Sequence, residues 1–300
     1  MSPAPGRPKG GQATAGLASA GVVAAGPALP HPVATLRPTT STAPLVLTRR
    51  SGGVLVATLS RPPVNALDDR LIAALHAVLD EAVADDRIAV LHLRSELRAF
   101  SAGADLALIE ACFATPQGPD AMTEVVRDMQ RLYARLEAAP LVTLAEIATT
   151  ALGGGLELAL ACDLRVAALD ARLGLPESRL GLLPGAGGTQ RLTRLCGPGV
   201  AKRMILGAEV IDGATAERLG IVHWAWPGAV LAARAAELAA RFATAPKAAL
   251  AANKRCIAAA TDPARDGYAD EIAETRALYD HPETRRKVSA FLARRGNRGD

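Results

Sequence analysis

Residues 151–163 read Ala-Leu-Gly-Gly-Gly-Leu-Glu-Leu-Ala-Leu-Ala-Cys-Asp and join a predicted strand at 141–147 to a predicted helix that runs through Cys162. Glycine at the start of a helix lets a ligand approach the backbone closely, and the free N–H groups there stabilise negative charge. The same glycines also suit tight packing of a strand against a helix, so both interpretations stay open from these residues alone. The sequence after them is neither that of a P-loop nor that of a dinucleotide-binding fingerprint.

Two glutamates flank the strand predicted at 164–168. Glu157 lies in the first turn of the helix among apolar neighbours, and Glu177 follows twenty residues later, after Leu175-Pro176. Taken singly, Glu157 suits compensation of the helix dipole and Glu177 suits a turn. If both converge on one apolar pocket, their pKa values rise and separate, which makes an acid/base pair.

Two further glycine-containing loops could complete such a pocket. Phe100-Ser-Ala-Gly-Ala-Asp105 joins a strand to a helix, and Pro184-Gly-Ala-Gly-Gly-Thr-Gln190 comes shortly after Glu177. Backbone N–H groups from two separate loops can point at the same developing oxyanion. The loops at 100–105 and 151–155 therefore predict an oxyanion site, and the loop at 184–190 predicts one wall of it.

Around these loops the chain alternates short strands and helices. Apolar runs at 45–49 and 54–59, separated by Ser51-Gly-Gly53, predict a hairpin, and Asp68 or Asp69 is expected to cap the next helix. After Pro227 the pattern is almost wholly helical. The chain is therefore predicted to be an α/β protein, with a core at 45–227 and a helical C-terminal region at 228–300. Residues 1–44 have no such periodicity and predict a disordered N-terminal extension.

Composition excludes several classes of partner. The chain has four Phe, three Tyr and two Trp, too few to build a stacking platform for single-stranded nucleic acid. Residues 1–44 carry three basic side chains and no acidic one, whereas the rest carries 31 basic and 30 acidic side chains. This balance demands no polyanionic partner, and we expect no nucleic acid.

The four cysteines are scattered, with no CxxC pair, which argues against a disulfide framework and a zinc site and favours a reducing cytoplasm. The longest weakly apolar stretch, 13–26, consists largely of Ala, Gly and Val and is too short to span a bilayer. No membrane partner is expected.

Three motifs carry a family resemblance: Arg98-Ala-Phe-Ser-Ala-Gly-Ala-Asp105, the stretch 151–163, and Leu175-Pro-Glu-Ser-Arg-Leu-Gly-Leu-Leu-Pro-Gly-Ala-Gly-Gly-Thr-Gln-Arg191. Together they resemble the crotonase (enoyl-CoA hydratase/isomerase) family. Arg61-Pro-Pro-Val-Asn-Ala-Leu67 looks like the N-terminal signature of that family, and 207–222 looks like the segment that closes its core. The resemblance covers about residues 45–295, in order and without large gaps.

The resemblance implies a crotonase-like spiral of ββα units whose helical C-terminal region packs a homotrimer, often within a dimer of trimers. It also implies an acyl-CoA thioester as substrate. At the matching positions, the N–H groups of Ala104 and Gly154 would bind the thioester oxygen. Ala102 would lie by the adenine, and Ala104, Asp105 and Leu106 would line the coenzyme A channel.

Glu157 and Glu177 match the two carboxylates of the family's hydratases, whereas members that only isomerise double bonds usually keep the acid at Glu177 alone. The resemblance therefore implies an enoyl-CoA hydratase in which the two glutamates hold one water. Glu177 would deliver a proton to C2 and Glu157 would position or activate the water. No metal or redox cofactor is expected, since coenzyme A is part of the substrate.

Two residues depart from the family's pattern. Thr149 stands where glycine is usual, which could reshape the pocket or shift the Gly154 amide. Glu146 lies in a strand that is otherwise apolar, and a buried carboxylate costs several kcal/mol unless it is paired or neutral. Glu146 is therefore expected either at a sheet edge or beside a partner that the sequence does not identify.

Other functions stay open at this point. Within the family the alternatives are an enoyl-CoA isomerase, a decarboxylase and a thioester hydrolase, which would share the oxyanion site. Outside enzymes, the alternative is a homologue that binds acyl-CoA or RNA without catalysis. Low aromatic content argues against RNA, and the presence of both glutamates argues against a non-catalytic protein.

Overall fold

The computed structural model describes residues 43–296, so the extension expected at 1–44 falls almost entirely outside the described residues. The strands within this range are β1 (Val46–Ser51), β2 (Val54–Leu59), β3 (Val90–Ser95), β4 (Val142–Ile147), β5 (Thr150–Leu152), β6 (Leu164–Ala168), β7 (Arg172–Gly174), β8 (Val210–Asp212) and β9 (Trp224–Trp226). The helices are α1 (Asp69–Ala84), α2 (Leu106–Cys112), α3 (Gly118–Ala138), α4 (Gly154–Leu160), α5 (Gly188–Leu206), α6 (Gly213–Arg218), α7 (Gly228–Phe242), α8 (Lys247–Ala259), α9 (Gly267–Asp280) and α10 (Pro282–Gly296).

The first elements form where local sequence predicts them. β1 and β2 pair as an antiparallel hairpin, with Ser51 opposite Val54 and Gly52 at a φ of +58° in the turn. Asp68 caps α1 by accepting a 2.8 Å hydrogen bond from the Leu71 N–H. The apolar side chains of α1 recur with the 3.6-residue period of a helix, and this face is buried.

Two sheets organise the core. The larger has the strand order β1-β2-β3-β4-β6-β9, in which every pairing is parallel except that of β1 with β2. The smaller has the order β5-β7-β8. Helices cover the parallel strands, which explains why 54–59 and 142–147 read as nearly continuous apolar runs rather than as alternating ones. The fold is of the α/β class, as predicted.

Glu146 is the exception inside β4, and it is not at an edge. Its side chain is buried, and its Oε2 lies 2.9 Å from Nε2 of His92 on the neighbouring strand β3. The two atoms are within ion-pair distance, although their angle is not that of a hydrogen bond. Arg94 Nε lies 3.8 Å from the other carboxylate oxygen. The expected partner of Glu146 is therefore this pair of basic side chains.

The C-terminal part is helical from α7 onward, as expected. α7 packs on β3, β4, β6 and β9, so it belongs to the same compact unit as the sheets. α8, α9 and α10 pack successively on one another. Within the described residues, no helix is both long and apolar enough to cross a membrane.

Candidate active site

The two glycine loops predicted to form an oxyanion site lie side by side. Ser101 pairs with Ala151 as an isolated parallel bridge, in which the Ser101 N–H donates to Thr150 O and the Leu152 N–H donates to Ser101 O. Gly103 has a φ of +94°, and a Cβ at this position would lie only 2.8 Å from the carbonyl oxygen of Leu152. The close contact between the loops therefore requires glycine at 103.

The N–H groups of Ala104 and Gly154 meet at this contact. The Ala104 nitrogen lies 3.7 Å from the position that a Cβ of Gly154 would occupy. The Gly154 nitrogen lies 3.2 Å from the position that a Cβ of Gly103 would occupy. Within the described part of the chain, neither N–H donates a hydrogen bond. Both residues line the same cavity.

Hydrogen bonds fix the loop that carries Ala104. The Leu67 N–H donates to Gly103 O at 2.8 Å, and the Asp105 N–H donates to Leu67 O at 3.0 Å. The buried side chain of Asn65 donates to the carbonyl oxygen of Phe100, and the Ser101 hydroxyl donates to Asn65 O. These contacts set the position of the Ala104 amide before any ligand binds.

Glu157 is the more buried of the two predicted carboxylates. It lies in α4, its side chain is 2 % exposed, and its Oε1 accepts a 2.6 Å hydrogen bond from the Gly188 N–H at the start of α5. Burial raises the pKa of Glu157 to about 7, although the Gly188 bond opposes this, and the nearby carboxyl of Glu177 adds to the increase.

Glu177 lies on the 3-10 helix Pro176–Leu180. Its Oε1 lies 2.9 Å from where a Cβ of Gly153 would be, so a side chain at position 153 would collide with it. Its Oε2 is buried and accepts no hydrogen bond within the described residues. Burial raises the pKa of this carboxyl as well. Two carboxyls with raised pKa values therefore line one space.

That space is a cavity of about 560 Å³. Its lining includes most of the site residues predicted from the sequence: Ala102, Ala104, Leu106, Gly154, Glu157 and Glu177. Gly185 and Ala186, from the loop predicted as a wall, also line it. The volume is typical of sites that bind small organic ligands.

Asp105 does not line the cavity, although it was expected to contact substrate. Its carboxylate lies 2.5 Å from Nη2 of Arg61 and caps α2 by accepting a hydrogen bond from the Ala107 N–H. These contacts give Asp105 a structural role at the start of the helix.

Thr149 does not line the pocket. Its side chain is exposed, it is absent from the cavity lining, and its carbonyl oxygen accepts a 2.7 Å hydrogen bond from the Arg172 N–H next to β7. Its backbone is not in the left-handed region, so glycine is not required there. The effect of Thr149 on the Gly154 amide stays a prediction.

Two supporting residues were missed by the sequence predictions. Asn65 holds the 99–101 segment, and the hydroxyl of Tyr133 donates to the carbonyl oxygen of Gly154. The motif at 61–67 was a signal for Asn65, because a buried polar residue within it requires partners. Nothing local distinguishes Tyr133 from the other buried residues of α3.

A second depression, of about 790 Å³, lies between α8 and α9. Of the charged side chains that line it, Arg265 pairs with Asp270 and Asp266 caps α9. Among residues 43–296, no cluster of three His, Cys, Asp or Glu side chains is arranged to hold a metal ion. The cavity at Glu157 and Glu177 is thus the candidate active site.

Comparisons with known proteins agree on one family. Residues 49–297 match the family model of enoyl-CoA hydratase/isomerase. The chain is 35% identical over 253 residues to 2,3-dehydroadipyl-CoA hydratase of Escherichia coli (strain K12). This match covers 83% of this chain and 96% of the relative. It is 41% identical over 191 residues to a probable enoyl-CoA hydratase of Bacillus subtilis (strain 168), covering 63% and 72%.

Solved structures show the same similarity. DspI of Pseudomonas aeruginosa superposes with a TM-score of 0.78 at 34% identity, covering 86% of this chain and 97% of that one. Enoyl-CoA hydratase from Bacillus anthracis superposes with a TM-score of 0.76 at 29% identity, covering 83% and 96%. The chain has the crotonase fold and belongs to the enoyl-CoA hydratase/isomerase family.

Proposed function

We propose that this family member adds water across the 2,3 double bond of a 2-enoyl-CoA thioester. The observation that carries the proposal is the placement of two carboxyls with raised pKa values, Glu157 and Glu177, in the cavity that contains the Ala104 and Gly154 N–H groups. Water addition needs an oxyanion site together with an acid and a base, and these are the groups present.

The first part of the mechanism is polarisation of the thioester. The N–H groups of Ala104 and Gly154 donate to its carbonyl oxygen, which makes C3 electrophilic and stabilises the enolate charge that develops on oxygen. Each such donor typically contributes about 10²–10³ in rate. Because both amides belong to loops fixed by hydrogen bonds, they need little reorganisation during the reaction.

The second part is transfer of the elements of water. Glu157 accepts a proton from the water as its oxygen bonds to C3, and protonated Glu177 delivers its proton to C2. The product is a 3-hydroxyacyl thioester, and one proton then returns from Glu157 to Glu177 to restore the enzyme. Acid/base catalysis of this kind typically contributes about 10²–10⁴ in rate.

The two carboxyls must share one proton. Burial raises the pKa of both carboxyls, and the charge of Glu177 adds to the increase at Glu157, so ionisation of one carboxyl opposes ionisation of the other. In the reactive state of the proposed mechanism the shared proton is on Glu177 and Glu157 is ionised. The alternative is the reversed division of roles, with Glu157 as the acid.

Other reactions share the same oxyanion site. An isomerase, decarboxylase or thioester hydrolase would use the two amides, but an isomerase needs only one of the carboxyls. Two carboxyls with raised pKa values that line one cavity support hydration over isomerisation. They also support an enzyme over a protein that only binds acyl-CoA or RNA, because such carboxyls are typical of active sites.

The direct test is hydration of crotonyl-CoA by the purified protein, followed as loss of the enoyl-thioester absorbance near neutral pH. Glu157→Gln and Glu177→Gln should each lower kcat at least about a hundredfold while coenzyme A binding is retained. Full activity in either variant would refute the acid/base assignment.

Three control measurements separate the alternatives. Conversion of a 3-enoyl-CoA without hydration would indicate an isomerase, and release of free thiol would indicate a hydrolase. Binding of acyl-CoA without turnover of any enoyl chain would indicate a binding protein.

The proposal extends to assembly, compartment and cofactors. A homotrimer, alone or as a dimer of trimers, is supported by exposed apolar side chains on α8–α10: Ile257, Tyr268, Ile272, Tyr279, Val288 and Leu292. A cytoplasmic location is supported by free thiols at all four cysteines. The proposed mechanism uses no metal and no redox cofactor.

A further inference from the structure

Apart from the two glutamates, the cavity has a wall that is apolar. α2 contributes Leu106 and Ile109, α3 contributes Met122 and Val126, and the segment after Glu177 contributes Leu180 and Leu183. Leu106, Leu180 and Leu183 are more than half exposed, although each is a large apolar side chain. Exposed apolar side chains that converge on a cavity are typical of a surface that an apolar ligand covers.

The same wall has no positive charge. Among the described residues that line the cavity, the ionisable ones are Cys112, Glu157 and Glu177, and none is Lys, Arg or His. An anion placed here would therefore meet apolar groups and two carboxyls.

The arginines that neighbour the lining residues along the chain are all engaged elsewhere. Arg127 pairs with Glu124, Arg179 donates to the carbonyl oxygen of Ala208 at 2.7 Å, and Arg191 contacts both carboxylate oxygens of Glu137 at 2.8–2.9 Å. Recruiting one of them into the cavity would break an existing contact. Among residues 43–296, the lining of the cavity thus offers no cation to neutralise a charge on the acyl chain.

We propose that this site selects acyl-CoA substrates with an uncharged aliphatic acyl chain and discriminates against those whose acyl chain ends in a carboxylate. The inference rests on the proposed function for its choice of acyl-CoA ligands. It separates the chain from its Escherichia coli relative, whose named substrate, 2,3-dehydroadipyl-CoA, is such a carboxylate. Apolar contacts favour the first class of ligand, while desolvation and like charge oppose the second.

The matched ligands for the test are hexanoyl-CoA and adipoyl-CoA, which share six acyl carbons and the whole of coenzyme A and differ only in methyl against carboxylate at the end. Both are saturated at the 2,3 position, so titration calorimetry measures binding without turnover. Hexanoyl-CoA is expected to bind at least about tenfold more tightly. Equal binding, tighter binding of adipoyl-CoA or binding of neither would overturn the proposal.

A variant pair locates the selectivity on this wall. Met122→Arg places a cation in the cavity and should reduce the preference for hexanoyl-CoA at least about tenfold. Ala121→Arg adds the same charge one residue earlier, on an exposed position outside the cavity, and should leave the preference within about twofold. If Met122→Arg fails to fold, Leu183→Lys, at a position 67% exposed, provides the same test. An unchanged preference in the folded variant would overturn the assignment to this wall.

Turnover measurements distinguish failure of the proposed hydratase function from failure of the proposed selectivity. If hexanoyl-CoA binds more tightly but 2-hexenoyl-CoA is not hydrated, the hydratase function fails and the selectivity stands. If 2-hexenoyl-CoA and 2,3-dehydroadipyl-CoA are hydrated with equal kcat/KM, the function stands and the selectivity fails.

Discussion

The hydroxyl of Tyr133 donates a 2.8 Å hydrogen bond to the carbonyl oxygen of Gly154, the residue whose N–H is one of the two proposed oxyanion donors. Tyr133 is fully buried on α3, and burial raises the pKa of its hydroxyl well above the usual value, so it remains a neutral donor. It touches no reacting atom in the proposed mechanism. Its role is to fix the first turn of α4.

Tyr133→Phe removes this hydrogen bond and leaves the Gly154 carbonyl without the donor. We expect kcat to fall about tenfold with little change in KM, since the oxyanion donor is displaced mainly with respect to the transition state. The free energy of unfolding should fall by about 1 kcal/mol. Steady-state kinetics on crotonyl-CoA and urea unfolding provide the two readouts. Tyr268→Phe, at an exposed position on α9, is the control, and an equal effect there would contradict the assignment.

Ionisation of Glu157 opposes folding. Its pKa is raised to about 7 from an ordinary 4.5, so between these pH values the folded chain binds more protons than the unfolded one. The free energy of unfolding therefore decreases as pH rises through this window. Glu157→Gln removes that dependence and keeps an oxygen for the Gly188 N–H.

The variant Glu157→Gln should thus be more stable than wild type by up to about 3 kcal/mol at pH 8, and by less than about 1 kcal/mol at pH 5. Denaturant unfolding at both pH values measures the difference. Glu110→Gln, at an exposed position, serves as the control and should change the free energy of unfolding by the same small amount at each pH. Parallel pH profiles for wild type and Glu157→Gln would show that burial does not raise this pKa.

The two carboxyls are distinguished by exchange of the C2 proton. If Glu177 is the acid that serves C2, then Glu177→Gln abolishes exchange of the C2 hydrogens of butyryl-CoA with deuterated water, while Glu157→Gln retains it, because no water is added in this reaction. The loss should be at least about a hundredfold, measured by proton NMR. The opposite pattern would assign the acid role to Glu157.

The loss of stability on replacing Glu146 is expected to depend on whether His92 is replaced as well. Glu146→Leu leaves buried His92 without its partner, and removing one member of a buried pair typically costs about 3–5 kcal/mol. The double variant His92→Leu, Glu146→Leu replaces both by apolar groups and should recover most of that loss. Denaturant unfolding of both variants provides the comparison. A double variant as unstable as Glu146→Leu alone would mean that the two side chains do not interact.

Local sequence was sufficient for most elements and for the parts of the site. The cap at Asp68 and the turn at Gly52 depend on residues close in the chain, and both form as predicted. The motifs at 98–105, 151–163 and 175–191 indicated the glycine loops and the two glutamates that line the cavity. Such signals are readable because each reflects a backbone conformation or a short-range hydrogen bond.

Contacts between distant residues needed the assembled fold. Asp105 pairs with Arg61, Tyr133 reaches Gly154, and Glu146 lies beside His92 because strand order and helix packing bring these residues together. The apolar wall of the cavity also depends on residues distant in the sequence, since α2, α3 and the segment after Glu177 each contribute part of it. Residue type and spacing do not specify such partners, because a side chain's environment depends on every element that packs around it.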